Sequence, residues 1–222
     1  MSYQFDFVAV FDYSSVLLAG TAHTLLLTAV GAVAGLGIGI LGAVSRAWQI
    51  KPFDRIFAVY VELIRNTPFL IQLFFIYFGL PSLGFRLDEW QAAILAVIIN
   101  LGAYTTEIVR AGIEATPRGQ IEAAQSLAMT RPQIFRHVVL PPALAKVWPA
   151  ICSQMVIVML GTSVCSQIAA EELTFAANFI QSRNFRAFET YFIVTVIYFV
   201  LAVAVRQLLT VAGLRLLGRR AR

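Results

Sequence analysis

Apolar residues in this chain do not alternate with polar ones but collect in five long runs, at about 16–44, 56–79, 91–111, 144–166 and 191–209. A helix crossing the hydrocarbon core of a bilayer needs roughly 20 apolar residues. Each run meets that length, and together with their connections they use nearly all of residues 1–222. The pattern predicts an all-α, polytopic transmembrane bundle of five spans, folded as a single domain with no separate soluble part. The first run is rich in small residues (Gly20, Gly31, Gly35, Gly37, Gly39, Gly42), which allow close helix approach in lipid. The second is interrupted by Glu62, Arg65, Asn66, Thr67 and Pro68. Two polar stretches stand out between runs, one at about 112–141 and one from Glu171 to Glu189.

Composition agrees. Only 13% of residues are charged and 59% are hydrophobic, with a mean hydropathy of +0.77, against about 25% charged in soluble domains. The net charge of +5 does not indicate nucleic-acid binding, because the basic residues sit at the ends of the apolar runs. They report orientation instead. One set of loops holds Arg46, Lys51, Arg55, Arg118, Arg131, Arg136, Lys146 and a basic tail of Arg215, Arg219, Arg220 and Arg222. The other set holds only Arg86, Arg183 and Arg186, beside Asp6, Asp12, Asp88, Glu89, Glu171, Glu172 and Glu189. The first set is expected inside, with the N-terminus outside and the C-terminus inside. The first thirteen residues are acidic and aromatic and lack the basic start of a cleaved leader. Trp90 and Trp148, at run ends, are expected at the membrane interface. Cys152 and Cys165 share one helix, separated by about 20 Å at 1.5 Å per residue. They read as packing residues that cannot pair with each other in one copy.

The stretch before the fourth run carries the most information. Residues 120–129 read as a short helix in which Ala123, Ala124, Leu127 and Ala128 form a small apolar face at helical spacing. Such a face suits a shallow groove on a soluble partner. Charged groups at Glu62 and Arg65, and at Glu107, Arg110 and Glu114, lie three or four residues apart on helix faces and read as structural ion pairs bracing that loop. Asn100, Thr162, Ser163 and Gln167, with Thr24, are the polar groups set to line a pathway through the bundle. His23 reads as a packing histidine.

Glu122-Ala123-Ala124, followed at the right separation by Leu140-Pro141, resembles the EAA loop of ABC importer permeases. Ala128 stands where that pattern has Gly, a change expected to add one methyl in a helix, and Val138 stands where it has Ile. Residues 65–81, beginning Arg65-Asn66-Thr67-Pro68, resemble the second-helix signature of the polar amino acid group of these permeases, the one serving histidine, glutamine, glutamate, arginine and opines. Residues 102–113, with 117–120, resemble that group's lead-in to the EAA loop. The likeness spans nearly the whole chain. It implies the membrane domain of a type I importer, with Glu122, Ala123, Ala124, Ala128, Leu140 and Pro141 forming the element that couples to an ATPase. It also implies the partners: a dimer of cytoplasmic ATP-binding subunits that carry the ATP and Mg, a second permease copy or a paralogue, an extracytoplasmic amino acid-binding protein, and an amino acid cargo. The expected location is the bacterial plasma membrane.

No catalytic residues, metal site or cofactor are expected in this chain, which lacks a G-x-x-x-x-G-K-[ST] phosphate loop. An intramembrane hydrolase built from Ser163, His137 or His23 and Glu107 is disfavoured. His137 and Ser163 are far apart along the chain, and neither a G-x-S-x-G nor an H-E-x-x-H motif is present. A stand-alone secondary transporter is disfavoured by five spans without an inverted repeat.

Overall fold

The computed structural model describes residues 4–216; residues 1–3 and 217–222, with Arg219, Arg220 and Arg222 of the basic tail, lie outside the described residues. Among the described residues every regular element is helical. The elements are α1 (Val8–Phe11), α2 (Ser14–Ala47), α3 (Phe53–Arg65), α4 (Phe69–Phe74), α5 (Glu89–Glu114), α6 (Arg118–Ser126), α7 (Arg131–Ile134), α8 (Leu140–Gly161), α9 (Leu173–Asn184) and α10 (Ala187–Leu216). Four helical stretches are long and apolar enough to cross a membrane: Ser14–Ala47, Glu89–Glu114, Arg131–Ile168 and Ala187–Arg215. Phe53–Arg65 and Phe69–Leu83 reach that length only as a pair bent at the break between them, and count as a fifth if the pair is one broken span.

Local chemistry explains the breaks. Pro68 is extended (φ −64°, ψ 139°) and has no N–H, so α3 ends at Arg65 and α4 starts afresh. Two π turns, Phe75–Gly79 and Phe135–Val139, each lie just before prolines: Pro81 in one case, Pro141 and Pro142 in the other. A proline withholds the donor for the carbonyl four residues back, and the turn relaxes toward wider bonding. Asp88 and Gln91 exchange side-chain-to-backbone bonds of 2.8 and 3.2 Å at the start of α5, a reciprocal cap.

Two expectations from hydropathy change. The fourth apolar run begins near 144, but the helical stretch holding it begins at Arg131, where Thr130 and Gln133 form a capping box. Arg131, Arg136 and Lys146 lower hydropathy without opposing helix. The polar stretch Glu171–Glu189 is not a loop either, since α9 occupies most of it. Its Leu173, Ala176, Ala177 and Ile180 are buried and recur at 3.6-residue spacing.

The chain divides into two compact units; four of the five divisions fall inside α2, α5, α8 and α10, and the fifth lies between Thr67 and Pro68. One unit takes residues up to Ala32, Pro68–Ile98 and Val156–Val205. Its core packs Val10, Leu17, Leu173, Ala177, Ile180 and Val194. The acidic residues counted as loop charges have a different role here. Glu172 is wholly buried and caps α9, accepting from the N–H groups of Phe175 and Thr174 at 2.9 Å each and from the Tyr198 hydroxyl at 2.6 Å. Burial pushes its carboxyl above the usual range, and these donors oppose the rise. Glu189, also wholly buried, accepts from the Asp6 N–H at 3.0 Å and lies 3.6 Å from Arg186, tying the N-terminal segment down.

The other unit takes Val33–Thr67, Ile99–Met155 and the residues from Arg206 on. Val61, Ile64 and Ala103 form a core with Tyr60 and Ile99, and the Tyr60 hydroxyl donates to the Ile99 carbonyl at 2.5 Å. Gly42 lets α2 approach closely: a Cβ there would come within 2.6 Å of both the Phe57 ring and Thr106 Oγ1. Trp148, expected at the membrane interface, is held to α10. Its indole donates to the Leu209 carbonyl at 2.9 Å.

Glu172→Ala removes the α9 cap and the carboxylate that accepts from Tyr198 at 2.6 Å, leaving that hydroxyl the Thr174 hydroxyl at 3.0 Å. The expected loss is about 2–3 kcal/mol, read as a lowered thermal midpoint of the purified protein in detergent. An unchanged midpoint would show that the cap is not needed.

Candidate functional site

The site is assembled in the second unit, where α5 passes through α6 and α7 into α8. Pro117 is extended (φ −60°, ψ 132°) and starts α6 at once. The helix ends at Ser126 rather than running on to 129. Its closure has two bonds, Ala128 N–H to the Gln125 carbonyl at 2.9 Å and Met129 N–H to the Ala124 carbonyl at 3.2 Å. This is the Schellman arrangement, which needs a left-handed residue between them. Ala128 supplies it at φ 54°. The expectation of a methyl added inside a helix is therefore corrected: Ala128 lies past the helix end, in a conformation that is free for glycine and costs other residues about 1–2 kcal/mol.

The faces of α6 are unequal. Glu122, Ala123 and Leu127 are exposed, Leu127 at 77%, whereas Ala124 is turned inward and buried. Of the four-residue face expected, Ala123, Leu127 and Ala128 are exposed and Ala124 alone is buried, because α6 packs one side against the chain that follows. Behind it lies a hollow of about 260 Å³ lined by Trp48, Ile121, Gln125, Arg131, Ile134 and Val139. Trp48 packs edge-on against Phe135 of the π turn, with centroids 4.9 Å apart. Leu140 and Pro141 open α8 and are half-buried.

A chain of charges braces this region. Arg46 of α2 donates to Glu107 of α5 at 2.6 Å, Arg110 also pairs with Glu107, and Arg110 reaches Glu114. Exposed pairs of this kind contribute roughly 0.2–1 kcal/mol each. Their main effect is register, because Arg46 joins α2 to the face of α5 that leads into α6. The expected Glu62–Arg65 pair is not made. The Arg65 guanidinium lies over the Tyr104 ring, 5.5 Å from its centroid. A helix-surface ion pair is worth about 0.3–0.5 kcal/mol and a cation–π contact about 0.5–1 kcal/mol, so the ring wins. Both side chains line a polar cavity of about 400 Å³ with Arg46, Asn66, Tyr104 and Glu107.

The expected pathway residues are placed unevenly. Thr24 is fully buried and its hydroxyl accepts the Leu173 N–H at 3.2 Å. Thr162, also fully buried, donates to the Met159 carbonyl at 2.7 Å, and Ser163 donates to the Leu160 carbonyl at 2.7 Å. These hydroxyls satisfy backbone of their own unit. Gln167 is exposed at the end of the 3₁₀ turn Thr162–Ile168. Asn100, half-buried on α5, belongs to the second unit. His23 meets the Glu171 carbonyl through Nδ1 at 2.7 Å and packs edge-on against Trp90. The sequence reading missed Glu172, Glu189 and Tyr198. The apolar spacing of α9 was the available signal, since a carboxylate just before such a face is placed to cap it.

Residues 35–220 match the family described as binding-protein-dependent transport system inner membrane component. The probable glutamine ABC transporter permease protein GlnM of Bacillus subtilis is 35% identical over 87% of this chain and 89% of its own length. The arginine transport system permease protein ArtQ of the same organism is 33% identical over 88% and 90%. A crystal structure of an amino acid ABC transporter with histidines superposes with a TM-score of 0.87 at 36% identity, covering 96% of this chain and 100% of that one.

Ala128→Gly relieves the left-handed alanine and is expected to stabilise the protein by about 1 kcal/mol, read as a raised thermal midpoint. Ala128→Val is expected to lower it. Equal midpoints for all three proteins would show that residue 128 bears no strain.

Proposed function

The chain belongs to the family of binding-protein-dependent transport system inner membrane components, and from that premise we propose that it is the permease of an ATP-driven importer of polar amino acids. The cargo class is that of glutamate, glutamine and aspartate, or of histidine or arginine. Relatives named for glutamine and for arginine, at similar identity, support the class without choosing within it. The chain is a multi-pass protein of the inner membrane, and its N-terminus lies outside and its C-terminus inside. The separation of basic from acidic loops supports that orientation.

The coupling element is α6. The observation that carries this reading is the uncovered strip of Glu122, Ala123 and Leu127 on a helix held between α5 and α8 by Schellman closure and a capping box. An unpartnered helix face on a membrane protein's inner side is a docking surface for a soluble subunit. A dimer of ATP-binding subunits grips it. When ATP closes that dimer, α6 moves with it, and α5 and α8 carry the displacement to the pathway, which opens alternately to the two sides. Leu140 and Pro141 form the joint at which α8 takes up the motion. The charge chain from Arg46 to Glu114 keeps α2 and α5 moving together.

A second permease copy or a paralogue completes the pathway, and an extracytoplasmic binding protein delivers the amino acid. Asn100 and Gln167 line the route. Thr24, Thr162 and Ser163 hold its walls, their hydroxyls already engaged on backbone. ATP hydrolysis takes place on the partner subunits, which bring the ATP and Mg.

Glu122→Lys places the opposite charge on the docking strip. The expected result is a drop of at least about tenfold in ATP-driven uptake of L-glutamine or L-arginine, with membrane abundance unchanged. The full transporter, reconstituted in vesicles, gives both readouts. Uptake at the unmodified rate would show that α6 is not the docking element.

A further inference from the structure

The cavity between the end of α2, α3 and α5 has an arrangement of charges that the structural reading of Glu62 and Arg65 does not use. Of its six polar walls, Arg46 and Glu107 neutralise each other at 2.6 Å, and Glu107 is further held by Arg110. Asn66 donates its amide to the Glu62 carbonyl at 2.8 Å. Two charges remain. Arg65 is steadied over the Tyr104 ring, and the Glu62 carboxylate makes no ion pair among the described residues. They lie three residues apart on one face of α3, with Cβ atoms about 5–6 Å apart, and both side chains are long enough to close on a small guest.

We propose that this cavity is a binding site for the zwitterionic head of an amino acid, its α-carboxylate on Arg65 and its α-ammonium on Glu62. A neutral pair of opposite charges, one anion and one cation side by side, complements that head and no simple ion. The volume of about 400 Å³ lies within the range of small-molecule pockets. The ring contact fixes the guanidinium in advance, so less freedom is lost when a carboxylate binds. The remaining wall, Ala58 and Val61, is apolar and makes no polar contact with a side chain. The site therefore reads the shared head and not the identity of the amino acid.

The proposal rests on the transport reading above. With the basic loops inside, this cavity belongs to the inward half of α3 and α5. It is a last station before release, and a high internal amino acid concentration fills it.

The test uses the full transporter, permease with its ATP-binding subunits, purified without nucleotide. Tyr104→Trp retains an aromatic face for Arg65 and gives a local fluorescence signal, read against the same protein without that change. L-glutamine and L-arginine should shift the signal with midpoints within about threefold of each other. N-acetyl-L-glutamine, lacking the ammonium, and L-glutaminamide, lacking the carboxylate, should each bind about tenfold or more weakly. Glu62→Gln and Arg65→Gln should raise the L-glutamine midpoint by a similar factor. Glu62 makes no side-chain ion pair among the described residues, so its substitution is expected to leave the fold intact and keeps the test decisive.

Unchanged midpoints in both variants would overturn the site. So would a signal that answers to phosphatidylethanolamine, whose head also pairs an anion with an ammonium, but to neither free amino acid. If the pattern appears in a transporter that moves no amino acid in the presence of ATP and its binding protein, the site stands and the transport reading falls. If uptake is normal and no saturable signal is found, the site alone falls.

Discussion

Hydrocarbon offers no water to a peptide group, so every backbone donor and acceptor in a membrane-spanning segment must be satisfied within the protein. This constraint sets both the all-helical character of the chain and how its helices end. Five left-handed residues sit just past helix ends among the described residues: Gln49, Gly84, Ala128, Ala169 and Phe185. At the first four, the two bonds of the Schellman closure return the last carbonyls to backbone donors. Only one of these positions is glycine. The others accept conformational cost in exchange for sealed carbonyls. At the N-terminal ends, Asp88, Thr130 and Glu172 answer the unpaired amides with side-chain oxygens.

Charges follow the same constraint. A carboxylate or guanidinium near the membrane is tolerated when paired, and the chain from Arg46 through Glu107 and Arg110 to Glu114 is paired throughout. Glu172 and Glu189 are sealed by backbone amides and, for Glu172, by a tyrosine. Against that background the Glu62 carboxylate and the ring-held Arg65 are conspicuous. They keep their charges facing a cavity in which their neighbours have already found partners.

The segment proposed to couple, α6 to the start of α8, combines these devices. Its exposed strip is small, and exposure of Leu127 in particular would be unfavourable unless a partner covers it. The segment is nonetheless rigidly placed. A Schellman closure ends α6, a capping box starts α7, and paired prolines set the π turn before α8. Rigid placement of an uncovered face is what transmits a displacement along a chain instead of absorbing it.

Hydropathy alone determined that the chain is a helical membrane protein, because apolar run length is a direct measure of bilayer thickness; it read five spans, of which the structure forms four as long helices and breaks the second at Pro68. The short pattern at Glu122-Ala123-Ala124 and Leu140-Pro141 marked the segment proposed to couple, because it lies in one contiguous stretch. Tertiary structure decided what depends on neighbours far along the chain. Thr24 proved to serve the Leu173 amide, Arg65 chose Tyr104 over Glu62, and Ala124 turned inward while Ala123 stayed out. Ala128 gave no sign in the sequence that it lies beyond a helix end, since alanine is a strong helix former and only the closure bonds of α6 require its left-handed backbone. Which of two competing partners a polar side chain takes is a matter of distances in space, and spacing along one helix does not contain them.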